Sequence, residues 1–316
     1  MKKQIKQFLR SELTLIIFLI LSIAAGIILS PNFLDLRFLM SSAALYAEFG
    51  LIAVCFTLLL TLGEIDLSVA SNMTLVTCVI GALWRVQAPM GLTVFLGLAT
   101  GCFCGFINAF LVTKTGLPSL IITIGTLSIF KGLSQVLVGE KAVGNFPTWF
   151  LGVDDKLVFG LVPLSVFIVI VAAIVLEVVL KKTFFGRKII AIGLNPNTSF
   201  YSGVNVNQMK LIIFSLLGLF CGIAGLLSIS RIEVAKYSIG AGGEMDVVTM
   251  VLLGGTAFTG GRGKAIGTLV AYFILVFIGT GMRLATISNY TQIAVVGMLL
   301  IFIIVISRKT ETISVN

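Results

Sequence analysis

Two carboxylates stand where an apolar chain rarely carries them. Glu64 and Asp66 lie in Gly63-Glu64-Ile65-Asp66-Leu67-Ser68-Val69-Ala70, between the charge-free runs Leu51–Leu62 and Ser71–Leu83. A lone charge at the centre of a bilayer costs about 2.5–3.5 kcal/mol on insertion scales. Either a helix breaks here and the acids reach water, or they line a polar cavity. For Asp66 two roles are open: accepting hydrogen bonds from the first amides of the next helix, or touching a polar cargo. The pattern Gly-Glu-apolar-Asp-apolar returns at Gly243-Glu244-Met245-Asp246-Val247. Each copy follows an apolar, helix-length run, and broken helices at matching places in two inverted halves point to a transport site.

Other chemistries find no residues to perform them. The chain has no histidine, and Cys55, Cys78, Cys102, Cys104 and Cys221 all lie in apolar runs without metal-site spacing. They read as small packing residues, with no disulfide assigned. The stretch Leu253-Gly254-Gly255-Thr256 to Gly260-Gly261-Arg262-Gly263-Lys264 invites a phosphate-loop reading. It fails, because Phe258 stands where glycine is needed and Ala265 where serine or threonine is needed. These glycines suit close helix packing and a tight turn instead. No nucleophile–base pair supports a membrane enzyme.

Composition sets the frame that must position the acids. Hydrophobic residues make up 58% of the 316 and charged ones 11%, with a mean hydropathy of +1.13. Soluble domains carry about 25% charged residues. The expectation is an all-α integral membrane protein, a single transmembrane domain over 1–316. Alternating ten-residue strands are absent, which excludes a barrel. Ten helices are expected, at 13–30, 44–62, 67–84, 91–113, 117–137, 158–180, 211–229, 246–258, 265–282 and 291–307. The stretch 246–258 is too short to cross and is expected as a half-helix. Matching patterns suggest an inverted repeat of helices 2–5 and 7–10. The run from Leu13 to Leu29 exceeds a signal-peptide core and reads as a retained first span.

The net charge of +9 belongs to membrane topology rather than nucleic-acid binding. With alternating spans, Lys2, Lys3, Lys6, Arg10, Lys114, Lys181, Lys182, Arg187, Lys188, Lys210, Arg262, Lys264, Arg308 and Lys309 fall on one side. The other side holds fewer bases, and its loops carry Asp35, Glu140, Asp154, Asp155 and Glu233. Both termini are therefore expected on the cytoplasmic side of a multi-pass membrane protein. Two loops stand out. The outer one, 138–157, carries Trp149-Phe150, an interface anchor or a contact for an extracytoplasmic partner. The inner one, 181–210, contains Asn195-Pro196, a cap and first-turn pair, and ends near Gly203. A helix of about two turns, Pro196 to Ser202, is expected beneath the membrane, either tidying the loop or docking a partner.

Four stretches resemble the permease subunits of bacterial ribose-type (monosaccharide) ABC importers, in the branched-chain amino acid/ribose permease superfamily. They are Gly63-Glu64-Ile65-Asp66-Leu67-Ser68-Val69; Pro118-Ser119-Leu120-Ile121-Ile122-Thr123-Ile124-Gly125-Thr126; Gly186-Arg187 with Ala191-Ile192-Gly193 and Tyr201-Ser202-Gly203-Val204-Asn205-Val206; and Val251 to Thr256 with Gly260-Gly261-Arg262-Gly263 and Gly267-Thr268. The resemblance runs from about Pro31 to Arg308. Glu64 departs from it, standing where the family has a second glycine, and Ala70 replaces another.

The resemblance implies an inward transporter for a ribose-like monosaccharide or related sugar derivative, working by alternating access. Its partners would be an ABC ATPase subunit, which holds the ATP and Mg, an extracytoplasmic sugar-binding protein and a second permease subunit. No cofactor is expected in this chain, and no nucleic-acid partner. Coupling to the ATPase would fall to Asn195, Pro196, Asn197, Ser199, Tyr201, Ser202 and Gly203. The path and its helix breaks would use Gly63, Glu64, Asp66, Ser68, Thr123, Thr126, Glu244, Asp246, Gly254, Gly255 and Thr256. The rival reading is an ion-coupled transporter acting without an ATPase, with Glu64, Asp66, Glu244 and Asp246 as ion sites.

Overall fold

Lipid offers no hydrogen bonds, so an apolar chain in a membrane satisfies its backbone by folding into helices. A computed structural model describes residues 2–29, 31–153 and 156–315, excepting the side chains of 2–14, 31, 32, 289 and 306–315. Asp154 and Asp155 lie outside the described residues, as do the side chains of Lys2, Lys3, Lys6, Arg10, Arg308 and Lys309. The helices are α1 (Lys2–Leu29), α2 (Leu36–Ala44), α3 (Ala47–Thr61), α4 (Val69–Arg85), α5 (Met90–Thr115), α6 (Ser119–Val138), α7 (Leu164–Lys182), α8 (Phe184–Leu194), α9 (Pro196–Tyr201), α10 (Val206–Ile232), α11 (Gly243–Leu253), α12 (Ala265–Leu284) and α13 (Asn289–Val315).

Every expected apolar stretch falls on a helix, but ten full spans do not follow. Among the described residues, α5, α6, α7, α10 and α12 are long and apolar enough to cross, and the bent pair α2–α3 makes a sixth. Leu15–Leu29, α4 and Tyr290–Val305 are shorter apolar helices. Three features correct the sequence reading. The stretch expected at 44–62 is preceded by α2, joined to α3 across a 66° bend. Asp35 caps α2, its Oδ1 accepting from the Arg37 and Phe38 amides at 2.9 and 3.3 Å. The bend leaves the Ala43 carbonyl to accept from the Tyr46 amide and from the hydroxyl of fully buried Tyr272 at 2.7 Å. Second, the half-helix expected at 246–258 starts at Gly243 and stops at Leu253, because Gly255 takes φ +85° and turns the chain. Third, a small antiparallel hairpin pairs Leu157–Val158 with Val162–Pro163, where the helix expected at 158–180 was to begin, and α7 starts only at Leu164.

α3 is apolar all round and nearly every residue in it is buried, which makes it the centre of the bundle. α10, α7, α11 and α12 surround it. α5, α6 and α7 turn broad apolar faces outward, as lipid-facing helices do. Packing partners match between two sets of four. α5 crosses α10 as α12 crosses α3, and α4 packs on α5 and α6 as α11 packs on α12 and α13. α10 packs on α4 as α3 packs on α11. This is the correspondence that an inverted repeat of these helices requires. The two Gly-Glu-apolar-Asp copies are not conformational twins, however. The first lies in non-helical chain before α4, and the second forms the first turn of α11.

Removing the α2 cap gives a modest, local test. Asp35→Ala is expected to cost about 1 kcal/mol, the usual worth of an N-cap. It would appear as a Tm drop of a few degrees in detergent with no change in accumulation.

Candidate functional site

The centre of interest is the break between α3 and α4. α3 ends in a hydrogen-bonded glycine turn: the Gly63 amide donates to Leu60 O at 3.0 Å and the Glu64 amide to Leu59 O at 3.1 Å. Gly63 sits at φ +91°, a conformation that a side chain would strain. The chain then leaves the helix, so its amides need partners from elsewhere. α6 supplies them one turn apart: the Ile65 amide donates to Ser119 Oγ at 3.1 Å and the Leu67 amide to Thr123 Oγ1 at 3.2 Å.

Asp66 is buried within this break. Its Oδ1 accepts from the Ser68 amide at 2.8 Å and the Ser68 hydroxyl at 2.6 Å, and its Oδ2 from Asn108 Nδ2 of α5 at 3.0 Å. Asn108 Nδ2 also donates to Ser68 Oγ at 2.8 Å. The expected cap is therefore corrected. Asp66 closes the turn ahead of α4 and ties it to α5, without reaching any amide within the helix, since Val69 is its first residue. Asn108 is absent from the sequence-derived set. A buried Asn in a glycine-rich apolar helix was the available signal.

Glu64 points to α10, where Lys210 Nζ lies 2.5 Å from its Oε1. The neighbouring backbone is pressed against two other segments. The Gly261 amide donates to Thr61 O at 2.8 Å, and Gly193, near the end of α8, lies so close that a Cβ there would sit 2.0 Å from Thr61 O and 2.4 Å from Gly261 N. A Cβ on Gly260 would come within 2.9 Å of Gly63 Cα and 3.0 Å of Gly193 O. Gly63, Gly193 and Gly260–Gly261 thus form a backbone junction that joins the break, the loop helices and the turn before α12.

Those loop helices are more ordered than the sequence suggested. α8 was missed, although Thr183 caps it, accepting from the Gly186 amide at 3.1 Å. Asn195 caps α9 by accepting from the Thr198 amide at 3.0 Å, and Asn205 caps α10 through the Gln208 amide at 3.0 Å. Asn195, Pro196, Asn197, Ser202 and Gly203 are exposed, and Phe200 and Tyr201 are exposed by 65% and 88%. Ser199 is buried and faces the bundle.

The remaining residues separate. Thr123 and Thr126 are both buried within the bundle. Gly254 abuts α12, where a Cβ would meet Thr268 N at 2.5 Å. Gly255 makes the turn, and Thr256 is buried beside it. Glu244 and Asp246 begin α11 at the end of the bundle opposite α9, where a helix N-terminus favours negative charge. They do not meet Glu64 or Asp66. At that opposite end Glu48 of α3 pairs with Arg231 of α10. An open cleft of about 840 Å³ lies there, lined by Trp84, Arg85, Glu140, Lys141 and Asn145. Tyr237 donates to Glu140 at 3.0 Å, and that carboxylate pushes the phenol above its ordinary range. Trp149 is exposed, while Phe150 packs inward on Phe146.

Comparison with known proteins gives these features a context. The family described as branched-chain amino acid transport system / permease component matches residues 38–304. The autoinducer 2 import system permease proteins LsrD of Escherichia coli (strain K12) and of Shigella flexneri are each 33% identical, over 93% of this chain and 91% of theirs. LsrD of Escherichia coli O157:H7 is 32% identical over the same shares. No solved structure matches. With α3 to α12, the break and the loop helices inside the matched region, this chain belongs to the branched-chain amino acid transport system / permease component family.

Proposed function

We propose that this chain is the membrane path subunit of an ATP-driven importer for a small, polar, sugar-like molecule. ATP is hydrolysed on a partner subunit. The observation that carries this reading is the loop end of the bundle: capped α9 turns Phe200 and Tyr201 to solvent, flanked by Lys181, Lys182, Arg187 and Lys188. Exposed aromatics on a short capped helix are anchors for a protein groove. By the positive-inside rule, the same basic loop supports a cytoplasmic position for this end and for both termini. A second permease subunit and an extracytoplasmic binding protein complete the assembly, the latter on the side of the Arg85 and Lys141 cleft.

For cargo, the relatives' name directs attention to autoinducer 2, with ribose the comparison. Reconstituted vesicles holding the chain, its ATPase and its binding protein should accumulate one of these only with ATP inside. Uptake by the chain alone, driven by an ion gradient, would establish the ion-coupled reading in its place.

The docking surface has its own test. Phe200→Ala with Tyr201→Ala should lower co-purification of the ATPase about tenfold or more, since each lost anchor is worth about 1–2 kcal/mol. Membrane accumulation should stay unchanged, because both side chains leave the bundle untouched. Undiminished co-purification would remove α9 as the dock.

A further inference from the structure

α3 and α10 lie antiparallel and are joined by an ion pair at each end. Glu64, just past the end of α3, meets Lys210 in the first turns of α10; Glu48, in the first turn of α3, meets Arg231 in the last turn of α10. Both acids come from one helix segment and both bases from the other. The four side chains are mostly withdrawn from solvent: 13% and 21% exposed for Glu64 and Lys210, 4% and 18% for Glu48 and Arg231. Pairs withdrawn from water lose much when one partner is removed, because the other charge stays behind.

The inner pair has a special neighbourhood. Lys210 lies one turn beyond Asn205, the cap that joins α9 to α10. Glu64 follows Gly63 directly, and Gly63 sits in the junction with Gly193 of α8. Two contacts therefore meet at one spot: the backbone contact of α8 at Gly193 and the charge of Lys210 on α10, the helix that directly follows α9.

We propose that Glu64 and Lys210 are positioning residues for energy coupling. They lock the entry of α10 to the end of α3, so that a displacement of α8 and α9 moves both helices as one body. Glu48–Arg231 keeps the far end in register. The inference rests on the importer reading above and assigns a task to the residue that departs from the family pattern.

The test uses the complete importer in vesicles, with Glu64→Gln, Lys210→Gln and the charge exchange Glu64→Lys with Lys210→Glu. Three quantities are read: ATPase co-purification, ATP hydrolysis, and cargo moved per ATP. Each single variant should retain the ATPase but move about tenfold less cargo per ATP, the factor that 1.4 kcal/mol of coupling represents. The exchange should recover most of the loss, as pairwise interaction in a double-mutant cycle requires. A purely structural role would lower accumulation and Tm and leave the ratio unchanged. The proposal is overturned if either single variant keeps the wild-type ratio, or if the exchange behaves no better than the singles. If the wild-type chain binds no ATPase at all, it is the importer reading that fails.

Discussion

Gly218→Leu is expected to abolish accumulation of folded protein in the membrane. α5 and α10 cross with their backbones in close contact, and glycines permit it. A Cβ on Gly218 would lie 2.2 Å from Gly101 O and 3.0 Å from Gly105 N; one on Gly105 would lie 2.1 Å from Phe214 O. These obstacles are backbone atoms, so no rotamer change relieves them. Lipid gives helices no hydrophobic reason to associate, and packing between small residues must supply the attraction. Forcing a larger side chain into a packed contact costs about 1–3 kcal/mol even where side chains can shift. Here the helices must separate along their length, which threatens a total stability of only about 5–15 kcal/mol. Gly218→Ala should fall between the two. Gly125→Leu on α6 is the control, since nothing lies within 4 Å of a Cβ there. Size-exclusion profiles of a fluorescent fusion would decide: a monodisperse Gly218→Leu peak of wild-type height and Tm would refute the packing argument.

Asp66→Ala should be the most damaging change within the break, and Asp66→Asn much milder. Alanine removes the acceptor of three buried N–H and O–H groups: the Ser68 amide, the Ser68 hydroxyl and one N–H of Asn108 Nδ2. Each unsatisfied buried group costs about 1–3 kcal/mol. Asparagine keeps an oxygen for the Ser68 amide and hydroxyl, but turns an NH2 towards Asn108. Asn108 Oδ1 has no partner in the protein as it stands, so a flip of that amide lets it accept the new donor. The double change Asp66→Asn with Asn108→Leu removes this escape and should be as damaging as Asp66→Ala. Thermal stability in detergent orders the three variants. Equal Tm values for Asp66→Ala and Asp66→Asn would show that the network does not hold the break.

How much of this was legible beforehand depends on the range of each interaction. The caps Asn195 and the turn glycines Gly203 and Gly255 act on neighbours two to four residues away, so type and order suffice to read them. α8 and α2 escaped because the polar run 181–210 and the stretch before Ala44 lack the length of a span, though Thr183 and Asp35 cap them in the ordinary way. The structure spreads the path set over both ends of the bundle. Thr123 was chosen from its motif and turned out to hold the break, while Thr126 is simply buried. Glu244 and Asp246 matched Glu64 and Asp66 in pattern and lie at the opposite end of the bundle.

The sequence by itself determined the class, the helices and the family. An apolar chain in lipid has helix as its only economical backbone solution, and motifs survive as short local strings. Tertiary structure alone decided what the acids of the break do. Membrane helices that are apolar all round carry no amphipathic stripe to say which face meets which neighbour. The crossing of α3 with α10 put Lys210 on Glu64, and the approach of α5 and α6 put Asn108, Ser119 and Thr123 around Gly63–Ser68. The sequence marked Glu64 as a departure from the family pattern, and the structure makes it half of a bridge between helices, because long-range contacts are set by packing geometry rather than by local order in the chain.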